Sequence, residues 1–356
     1  MSGEPRPTRW WRFVTWRHWG VFYLNPVFEN TFVFFHAFLQ GPTRFADTGV
    51  DLALFVVLVM CMSTYGFLLN DAVDCERDLG HGDDNVFAGL STRSSTLVVV
   101  LSLLLNLPPL LWFRAVPGFL LTWVLWFVVT TAYSLPRPYL KGRGLVGLIA
   151  VMLAMRTLPT LLILLAFDPG VDPGWFLLLV YVSLRGYTGD LAHQLHDLHE
   201  DQKDGIATYV VQKGAEVSAT LLDRSLELER HALLLATASM LWQAAQTAGS
   251  GALLVFHAVL MAGLVGLVFF ANLQIRRTPH IDPHRPVYPH KDVFYLLHKT
   301  FPKVALSLYL ALVLAILEPA WWPVFLVTAV YVRAFSLSRL RAALRLRPAQ
   351  RSRGGD

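Results

Sequence analysis

Long apolar stretches alternate with short polar ones along almost the whole chain, and this pattern predicts membrane-spanning helices. Most of the apolar stretches are long enough to cross a hydrocarbon core of about 30 Å. They lie at residues 19–40, 50–70, 94–113, 117–135, 144–167, 174–196, 231–247, 250–271, 304–317 and 320–332. The last two are short, so we expect either two tilted spans or a re-entrant pair there. The sequence therefore predicts an all-α integral membrane protein, a multi-span helical bundle of nine to ten transmembrane helices.

The composition also indicates a membrane protein. Of the 356 residues, 54% are hydrophobic and only 15% are charged, and the mean hydropathy is +0.47. A soluble domain of this size is less apolar. The net charge of +5 does not indicate nucleic-acid binding, because the basic residues stand in short segments between apolar stretches, which is how membrane topology is encoded. We therefore expect membrane lipid around the protein, no nucleic-acid partner and no protein partner.

The distribution of basic residues predicts the orientation in the membrane. If ten spans alternate from a cytoplasmic N-terminus, 26 of the 30 Lys and Arg residues lie in cytoplasmic segments. Only Arg44 and Arg114 then lie outside, and the remaining two, Arg156 and Arg185, fall within spans. Cytoplasmic loops carry an excess of Lys and Arg, so this orientation is favoured over its inverse. We expect a multi-pass protein in the cytoplasmic membrane of a bacterium.

Two acidic stretches end apolar runs, and both lie on the predicted cytoplasmic side. In the first, Asp71, Asp74 and Asp78 are spaced 3 and 4 apart, so a helix places them on one face. The second has steps of 7, 4 and 3 along one helical stripe, at Asp190, Asp197, Asp201 and Asp204. Such carboxylates suit Mg2+, which typically binds through one or two carboxylates plus substrate phosphates. The two stretches, if they face each other, predict a central Asp-lined cavity for a magnesium-bridged diphosphate, with the active site facing the cytoplasm.

At these acidic stretches the chain resembles the UbiA superfamily of membrane prenyltransferases. Residues 70–78 are similar to the NDxxDxxxD signature of that family. Residues 197–201, followed by Gly205 and Thr208, resemble its second, DxxxD-type motif. The two motifs together identify the family more specifically than either does alone.

A third piece of the chain resembles the same family. Residues 133–136 read Tyr-Ser-Leu-Pro and, with Lys141 and Arg143, are similar to its YSxP and Lys-rich loop. The three pieces keep the family's order and approximate spacing over residues 20–275. One position departs from the pattern. Many members have Arg or Lys followed by Pro after the first motif, whereas this chain has Asn85 followed by Val.

The resemblance implies an enzyme, a prenyltransferase that moves an alkyl group other than methyl. The family transfers an isoprenyl group from an isoprenyl diphosphate to an aromatic or other lipophilic acceptor, with Mg2+ as cofactor, and releases diphosphate. Carried over residue by residue, its motifs implicate Asn70 in substrate binding and five carboxylates as metal ligands, namely Asp71, Asp74, Asp78, Asp197 and Asp201. Among these, Asp71, Asp74 and Asp197 are expected to carry catalysis.

Basic and aromatic side chains are the further candidates for this chemistry. Lys141 and Arg143 are the donors expected to stabilise the leaving diphosphate, although signalling of membrane topology would also explain them. Tyr133 and Tyr187 could offer π faces to an allylic cation in a pocket that excludes water. Packing or an interfacial position is the alternative for both tyrosines.

The first apolar stretch carries polar residues inside hydrocarbon. Asn25, Glu29 and His36 lie at steps of 4 and 7, hence on one helical face, and an ionisable residue within a membrane is a candidate for function. These residues could bind, orient or deprotonate the acceptor, or they could hydrogen-bond between helices. The sequence leaves both possibilities open. Arg156 must likewise face protein, either pairing with a carboxylate or reaching the pocket.

The sequence divides into three predicted regions. Residues 1–18, with Trp residues among Arg residues, are expected to form an interfacial N-terminal arm. Residues 19–337 are expected to form the UbiA-like transmembrane prenyltransferase domain. Residues 338–356 are expected to form a basic cytoplasmic tail at an anionic membrane surface.

Three other functions compete with prenyl transfer. A terpene cyclase of the same fold would act on the prenyl diphosphate alone. A CDP-alcohol phosphotransferase would need a Gly-Ala-Arg pattern among its Asp residues, which residues 70–78 lack. A non-catalytic membrane transporter would place its carboxylates near the bilayer midplane, whereas these carboxylates cluster at the ends of spans.

Overall fold

A computed structural model describes residues 13, 16, 28–41, 44–168, 170–248, 251–277 and 295–332. The α-helices in these residues are α1 (Thr31–Gln40), α2 (Phe45–His81), α3 (Thr92–Leu104), α4 (Leu107–Trp112), α5 (Phe119–Ser134), α6 (Leu145–Met152), α7 (Leu158–Phe167), α8 (Pro173–His196), α9 (Leu198–Lys203), α10 (Tyr209–Lys213), α11 (Ala215–Ala248), α12 (Gly251–Arg277), α13 (Ser307–Leu317) and α14 (Trp322–Tyr331). A π-helical segment, Leu153–Thr157, joins α6 to α7, and a second, Tyr295–Leu306, leads into α13.

Five of the described helical stretches are long and apolar enough to cross a membrane. They are Phe45–His81, Thr92–Ala115, Leu145–Phe167, Leu253–Leu273 and Leu296–Leu317. Two shorter apolar stretches accompany them, Phe119–Ser134 and Pro319–Tyr331. The prediction of an all-α, multi-span membrane bundle is confirmed. The number of spans, nine or ten, stays a prediction.

Helix α2 carries the first acidic stretch without a break. It has 37 residues, so at a rise of about 1.5 Å per residue it is about 55 Å long and exceeds a hydrocarbon core of about 30 Å. It ends at Gly82, whose φ of 85° is left-handed and lets its N–H bond back to the carbonyls of Asp78 and Leu79. The apolar stretch predicted at 50–70 therefore continues into the same helix that presents the carboxylates.

Two segments are longer in the structure than the sequence predicted. The stretch at 304–317 belongs to the 22-residue candidate span Leu296–Leu317, which is long enough to cross the membrane, whereas Pro319–Tyr331 is shorter. Tilted spans and a re-entrant pair both stay predictions for these two stretches. The polar segment 198–230, predicted to lie outside the membrane, supplies the first half of α11. That helix continues through the apolar stretch at 231–247.

Aromatic side chains fill the bundle toward the N-terminal end of α2, away from the first acidic stretch. Phe38 on α1 lies between Phe167 and Trp321, with ring centroids 4.9 and 4.7 Å apart. Phe55 on α2 contacts Phe34 and Phe167 at 5.4 and 5.2 Å. Such edge-to-face and tilted pairs add to the stabilisation from burial alone. The aromatic core therefore fixes α1, α2 and α7 against one another below the acidic ends.

Helix α8 is the second helix that carries acidic residues. It packs along α11 and against the π-helical segment Leu153–Thr157. Close approach to that segment needs a small residue: a Cβ added at Gly186 would lie 2.7 Å from Cγ of Arg156. The absence of a side chain at Gly186 therefore allows the Arg156 side chain to pack directly against the backbone of α8.

Parts of the predicted regions lie outside the described residues. In the N-terminal arm, Phe13 and Trp16 are described, and the Phe13 ring meets the Phe87 ring edge-on at 5.8 Å. The rest of residues 1–18, the whole of residues 338–356 and Asn25 are outside the described residues. The boundaries of the three regions stay predictions.

Candidate active site

A cavity of about 460 Å³ opens between the acidic ends of α2 and α8. Its polar end includes carboxylates from both acidic stretches: Asp78, Asp190, Asp197, Asp201 and Asp204. Its other end is lined mainly by apolar side chains, among them Val59, Met62, Trp126, Met155 and Pro159. The predicted central Asp-lined cavity is therefore present, and it is polar at one end and apolar at the other.

The first acidic stretch is divided between the cavity surface and the protein interior. Asn70 and Asp78 line the cavity. Asp71 and Asp74 are buried, with exposed fractions of 7% and 5%, and neither forms part of the cavity wall. The Trp16 indole Nε1 donates to Asp71 Oδ2 at 2.8 Å, so a residue of the N-terminal arm touches the first carboxylate of the signature.

Asn85 holds this stretch from the following loop. Its side-chain Nδ2 donates to Asp78 Oδ2 at 2.8 Å and to the Asp71 carbonyl at 2.8 Å, and its Oδ1 accepts from Phe87 N. Asn85 is the position at which the sequence departs from the family's Arg or Lys. A neutral amide therefore orients Asp78 here.

Cations neutralise the buried Asp74. Its Oδ2 lies 3.0 Å from Lys141 Nζ and also contacts the guanidinium of Arg77. Arg77 Nε in turn lies 3.4 Å from Asp204 Oδ2, and His81 Nε2 lies 2.8 Å from Asp204 Oδ1. Lys141, which was predicted, therefore reaches the acidic end of the cavity together with two side chains that were not.

Arg77 and His81 were missed by the sequence analysis, although a signal for them exists. They follow Asp74 by 3 and 7 residues on α2, a spacing that puts them on its face of the helix. In the sequence, the basic residues near the carboxylates were used only to predict the membrane topology. Their helical phase relative to Asp74 would have placed them in the site.

The second acidic stretch is organised by short local hydrogen bonds. His193 Nδ1 lies 3.2 Å from Asp197 Oδ2, Thr208 Oγ1 donates to Asp201 Oδ2 at 3.2 Å, and Gln194 donates to Asp190. Burial raises the pKa of the Asp201 carboxyl above its usual value, although the hydrogen bond from Thr208 and the positive charge of Lys141 act in the opposite direction. All four carboxylates predicted for this stretch line the cavity.

The loop between α5 and α6 places Lys141 at the cavity, because the loop is held beside the segment that follows α9. Gly144 N donates to the Ala207 carbonyl at 3.1 Å, and Gly144 pairs with Thr208 in the isolated β-bridge. Gly144 has a left-handed φ of 53°, and its backbone is close enough to Gln212 that a Cβ would lie 2.2 Å from Oε1. The YSxP-type loop and the second acidic stretch are therefore joined side by side.

Two predicted site residues lie away from the cavity. Arg143 is exposed, and its Nε donates to the Pro138 carbonyl of its own loop at 2.7 Å; the prediction that it faces the diphosphate does not agree with this placement. Tyr187 packs beside Leu148, Leu191 and other apolar side chains of a separate cluster. Tyr133, by contrast, lines the cavity.

Of the polar residues predicted on the first span, Glu29 forms ion pairs, and neither Glu29 nor His36 lines the cavity. Glu29 Oε2 lies 2.6 Å from Arg156 Nη2 and 3.9 Å from Arg185 Nη2. Arg185 is fully buried, and its Nε donates to the His298 carbonyl at 2.7 Å. His36 is buried as well. Of the two possibilities left open for this face, the structure favours contacts between helices for Glu29, and Arg156 pairs with a carboxylate.

The donor set fits a hard divalent cation that the protein holds only in part. Among the described residues, no three His, Cys, Asp or Glu side chains are close enough together to hold a metal ion alone. Mg2+ usually binds through one or two carboxylates and takes its other ligands from waters and substrate phosphates. Carboxylate oxygens that are spread around a cavity suit this mode of metal binding.

Comparison with known proteins supports the same architecture. A UbiA homolog from Archaeoglobus fulgidus is 16% identical, with a TM-score of 0.54 over 86% of this chain and 100% of that one. A structure of a UbiA homolog from Archaeoglobus fulgidus bound to DMAPP and Mg2+ is 15% identical, with a TM-score of 0.54 over 82% and 96% of the two chains. An apo UbiA homolog from Aeropyrum pernix K1 is 15% identical, with a TM-score of 0.53 over 82% and 97%. No curated protein matches the chain.

At these identities the solved structures support the fold alone. The sequence pattern of the UbiA prenyltransferase family matches residues 31–297, which is well over half of the chain and includes the α2, α5–α6 and α8–α9 segments that surround the cavity. The resemblance seen in the sequence motifs is thereby confirmed. The chain belongs to the UbiA prenyltransferase family.

Proposed function

We propose that the protein transfers an isoprenyl group from an isoprenyl diphosphate to an aromatic or other lipophilic acceptor in the membrane and releases diphosphate. The observation that carries the proposal is the division of one cavity into a charged end and an apolar end. An isoprenyl diphosphate has the same division, with an anionic head and a hydrocarbon tail. The proposed site lies on the cytoplasmic side of a bacterial cytoplasmic membrane.

Mg2+ is the cofactor of the proposed reaction. Asp78, Asp197 and Asp201 line the cavity and are the ligands we propose for it, and Asp71 and Asp74 stand behind them on α2. Bound by these residues, Mg2+ would supply positive charge to offset the charge that builds up on the leaving diphosphate oxygens. A UbiA homolog from Archaeoglobus fulgidus has been solved bound to DMAPP and Mg2+, which supports the same cofactor here.

Lys141 is proposed to stabilise the leaving group and Asn70 to contact the diphosphate from the cavity wall. When the bond between carbon and the diphosphate oxygen breaks, its electron pair leaves with the oxygen, and a fixed cation nearby lowers the energy of that state. Lys141 is suited to this because its ammonium is held at the polar end by Asp74. The acceptor then forms its bond to the allylic carbon and loses a proton.

The apolar end of the cavity is proposed to hold the hydrocarbon and to keep water from the allylic cation. Trp126 is fixed by a hydrogen bond from its Nε1 to the Ala154 carbonyl at 3.0 Å. Tyr133 stands nearer the carboxylates on the same helix, α5. Their ring faces can interact favourably with a cation, and exclusion of water prevents its hydrolysis.

The test is product analysis with the purified protein. The protein is offered a set of prenyl diphosphates with lipid-soluble acceptors, and diphosphate release and prenylated product are measured separately, with and without excess chelator. We expect metal-dependent product that is lost in Asp197→Ala. Release of diphosphate with a hydrocarbon product when no acceptor is added would favour the cyclase, and unchanged turnover in chelator or in Asp197→Ala would overturn the assignment of the metal site.

A further inference from the structure

Five side chains form a continuous row, in which basic and acidic residues alternate, at the polar end of the cavity. In order, they are Lys141, Asp74, Arg77, Asp204 and His81. The row, called the charge chain below, links three separate elements: the loop before α6, the end of α2 and the residue that follows α9.

Arg77 and His81 hold Asp204 from the same side. They are four residues apart, so they lie one turn apart on the same face of α2, and each approaches a different oxygen of the carboxylate. The Asp204 side chain is only 12% exposed. A carboxylate whose two oxygens are both engaged by protein groups has fewer lone pairs left for a metal ion than one with a single such partner. Asp204 is therefore suited to be an anchor, unlike its neighbour Asp201.

The backbone around Asp204 makes its position and that of Asp201 interdependent. Asp204 N donates to the Glu200 carbonyl at 2.9 Å, and Ile206 N donates to the Asp201 carbonyl at 2.9 Å. Thr208 then donates to the Asp201 carboxylate. The segment is a compact turn, so a force that fixes Asp204 against α2 also fixes where Asp201 points.

We propose that Arg77 and Asp204 form a clasp that positions the second acidic stretch over the first, with Arg77 as a positioning residue for the site of the metal and the diphosphate. The proposal rests on the proposed function for what is positioned. It assigns Asp204 to the clasp and leaves metal binding to Asp78, Asp197 and Asp201, in each of which the described contacts engage one carboxylate oxygen instead of two. Without the clasp, the acidic ends of α2 and α8 could shift relative to each other, because the two helices belong to separate spans.

The binding test uses Mg2+ with inorganic pyrophosphate as the probe and the full chain in detergent. By calorimetry we expect Arg77→Gln and Asp204→Asn each to raise the dissociation constant about tenfold, a loss of roughly 1.4 kcal/mol. Because both break one clasp, the double variant should be no worse than either single variant. Arg77→Lys keeps the charge but loses the fork that reaches two carboxylates, so it should recover only part of the affinity.

Matched controls are available beside each clasp residue. Lys203 and Asp84 are exposed and lie outside the charge chain, so Lys203→Gln and Asp84→Asn should bind the probe as the unsubstituted protein does. Two results would overturn the proposal. One is that effects of Arg77→Gln and Asp204→Asn multiply in the double variant. The other is that Asp204→Asn abolishes binding as fully as Asp197→Asn does while Arg77→Gln leaves it unchanged, since that pattern describes a metal ligand.

A second measurement separates the clasp from the proposed function. Amide hydrogen exchange of residues 198–208, followed by mass spectrometry without added metal or pyrophosphate, should be faster in both clasp variants than in the two controls. If the unsubstituted protein bound no pyrophosphate, the proposed function would fail, and exchange would still decide the clasp. Unchanged exchange in both clasp variants would refute it.

Discussion

At the scale of single residues, Asp74 is a buried carboxylate that two cationic side chains share. Its Oδ2 contacts both Lys141 and Arg77, and only 5% of the residue is exposed. A buried carboxylate is costly unless it is paired, so the two cations are fixed beside it. The charge of Lys141 is thereby delivered to the cavity, whereas that of Arg143 stays in the exposed loop.

This difference predicts unequal effects of two neighbouring substitutions. Lys141→Gln should lower kcat about a hundredfold, the size of effect seen when one donor to a developing negative charge is removed. Arg143→Gln should change kcat less than twofold in the same assay, by the weakness of exposed charge interactions. Turnover at saturating prenyl diphosphate checks both. Equal losses would mean that Arg143 leaves the Pro138 carbonyl and reaches the substrate.

Glu29 gives a second test at this scale. Glu29→Gln removes the carboxylate beside the guanidinium of Arg156 within the membrane bundle, and breaking such a buried pair costs about 3–5 kcal/mol of stability. Thermal unfolding in detergent should show the loss, and Arg156→Met in the Glu29→Gln background should restore part of it. A Glu29→Gln protein of normal stability that is slow only in transfer to the acceptor would instead identify Glu29 as a base.

Helical spacing predicted only part of the carboxylate arrangement and none of the cations beside it. The second acidic stretch does not follow one helical stripe, because α8 ends at His196 and α9 begins at Leu198, yet Asp197 and Asp201 still line the same cavity as Asp78. Arg143 was placed by proximity in sequence to Lys141, and loops have no helical period. The Arg143 side chain is oriented by its hydrogen bond to the Pro138 carbonyl, which the spacing of residues in the sequence does not predict.

At the scale of elements, the loop before α6 lies against its own helix. A Cβ added at Gly147 would stand 2.3 Å from the Leu140 carbonyl oxygen and 3.1 Å from that of Lys141. These are backbone atoms, which cannot turn aside as a flexible side chain does. Gly147 therefore sets how closely Lys141 can be held above α6.

Gly147→Ala should both destabilise the protein and weaken catalysis. Overpacking costs about 1–3 kcal/mol, and relief requires the Lys141 backbone to move. Gly263→Ala is the control, because its Cβ would meet nothing within 4 Å and alanine is the better helix former by roughly 1 kcal/mol. Thermal unfolding and kcat measured on both variants check the prediction; a neutral Gly147→Ala would show that the loop has room to shift.

The sequence predicted the apolar elements but not their irregularities. The run at 144–167 was predicted as a span and that at 304–317 as a tilted span or part of a re-entrant pair, and neither prediction included the π-helical segments Leu153–Thr157 and Tyr295–Leu306. The first contains Arg156, and the second contains His298, which pairs with Glu229. Such insertions change which side chains face inward, and the partners that favour them come from distant spans.

At the scale of the whole molecule, the charged end of the cavity and the basic loops belong to one face. Lys141 and the second acidic stretch stand at the same end of the bundle as His81, the last residue of α2. The count of basic residues predicts that this face is cytoplasmic, and that orientation stays a prediction. The apolar pattern predicted the helical membrane architecture because the membrane imposes that pattern on the sequence directly.

Labelling with a membrane-impermeant maleimide tests this orientation. Val171, which is 83% exposed in the loop before α8, should become reactive from outside intact cells as Val171→Cys. Lys203 is exposed at the end of α9, and Lys203→Cys should react only after the membrane is permeabilised. Since Cys61 and Cys75 are natural cysteines, the unsubstituted protein is the control. The reverse pattern of reactivity would invert the topology.

The contact between Trp16 and Asp71 bears on how the protein is produced in the laboratory. Membrane proteins are often shortened to their first apolar stretch before crystallisation, and here that cut would fall at residue 19. It would delete the indole that donates to the first carboxylate of the signature and the phenyl ring that covers Phe87. An affinity tag is better attached after residue 356 than before Met1, and a shortened protein should have its metal binding measured before its structure is interpreted.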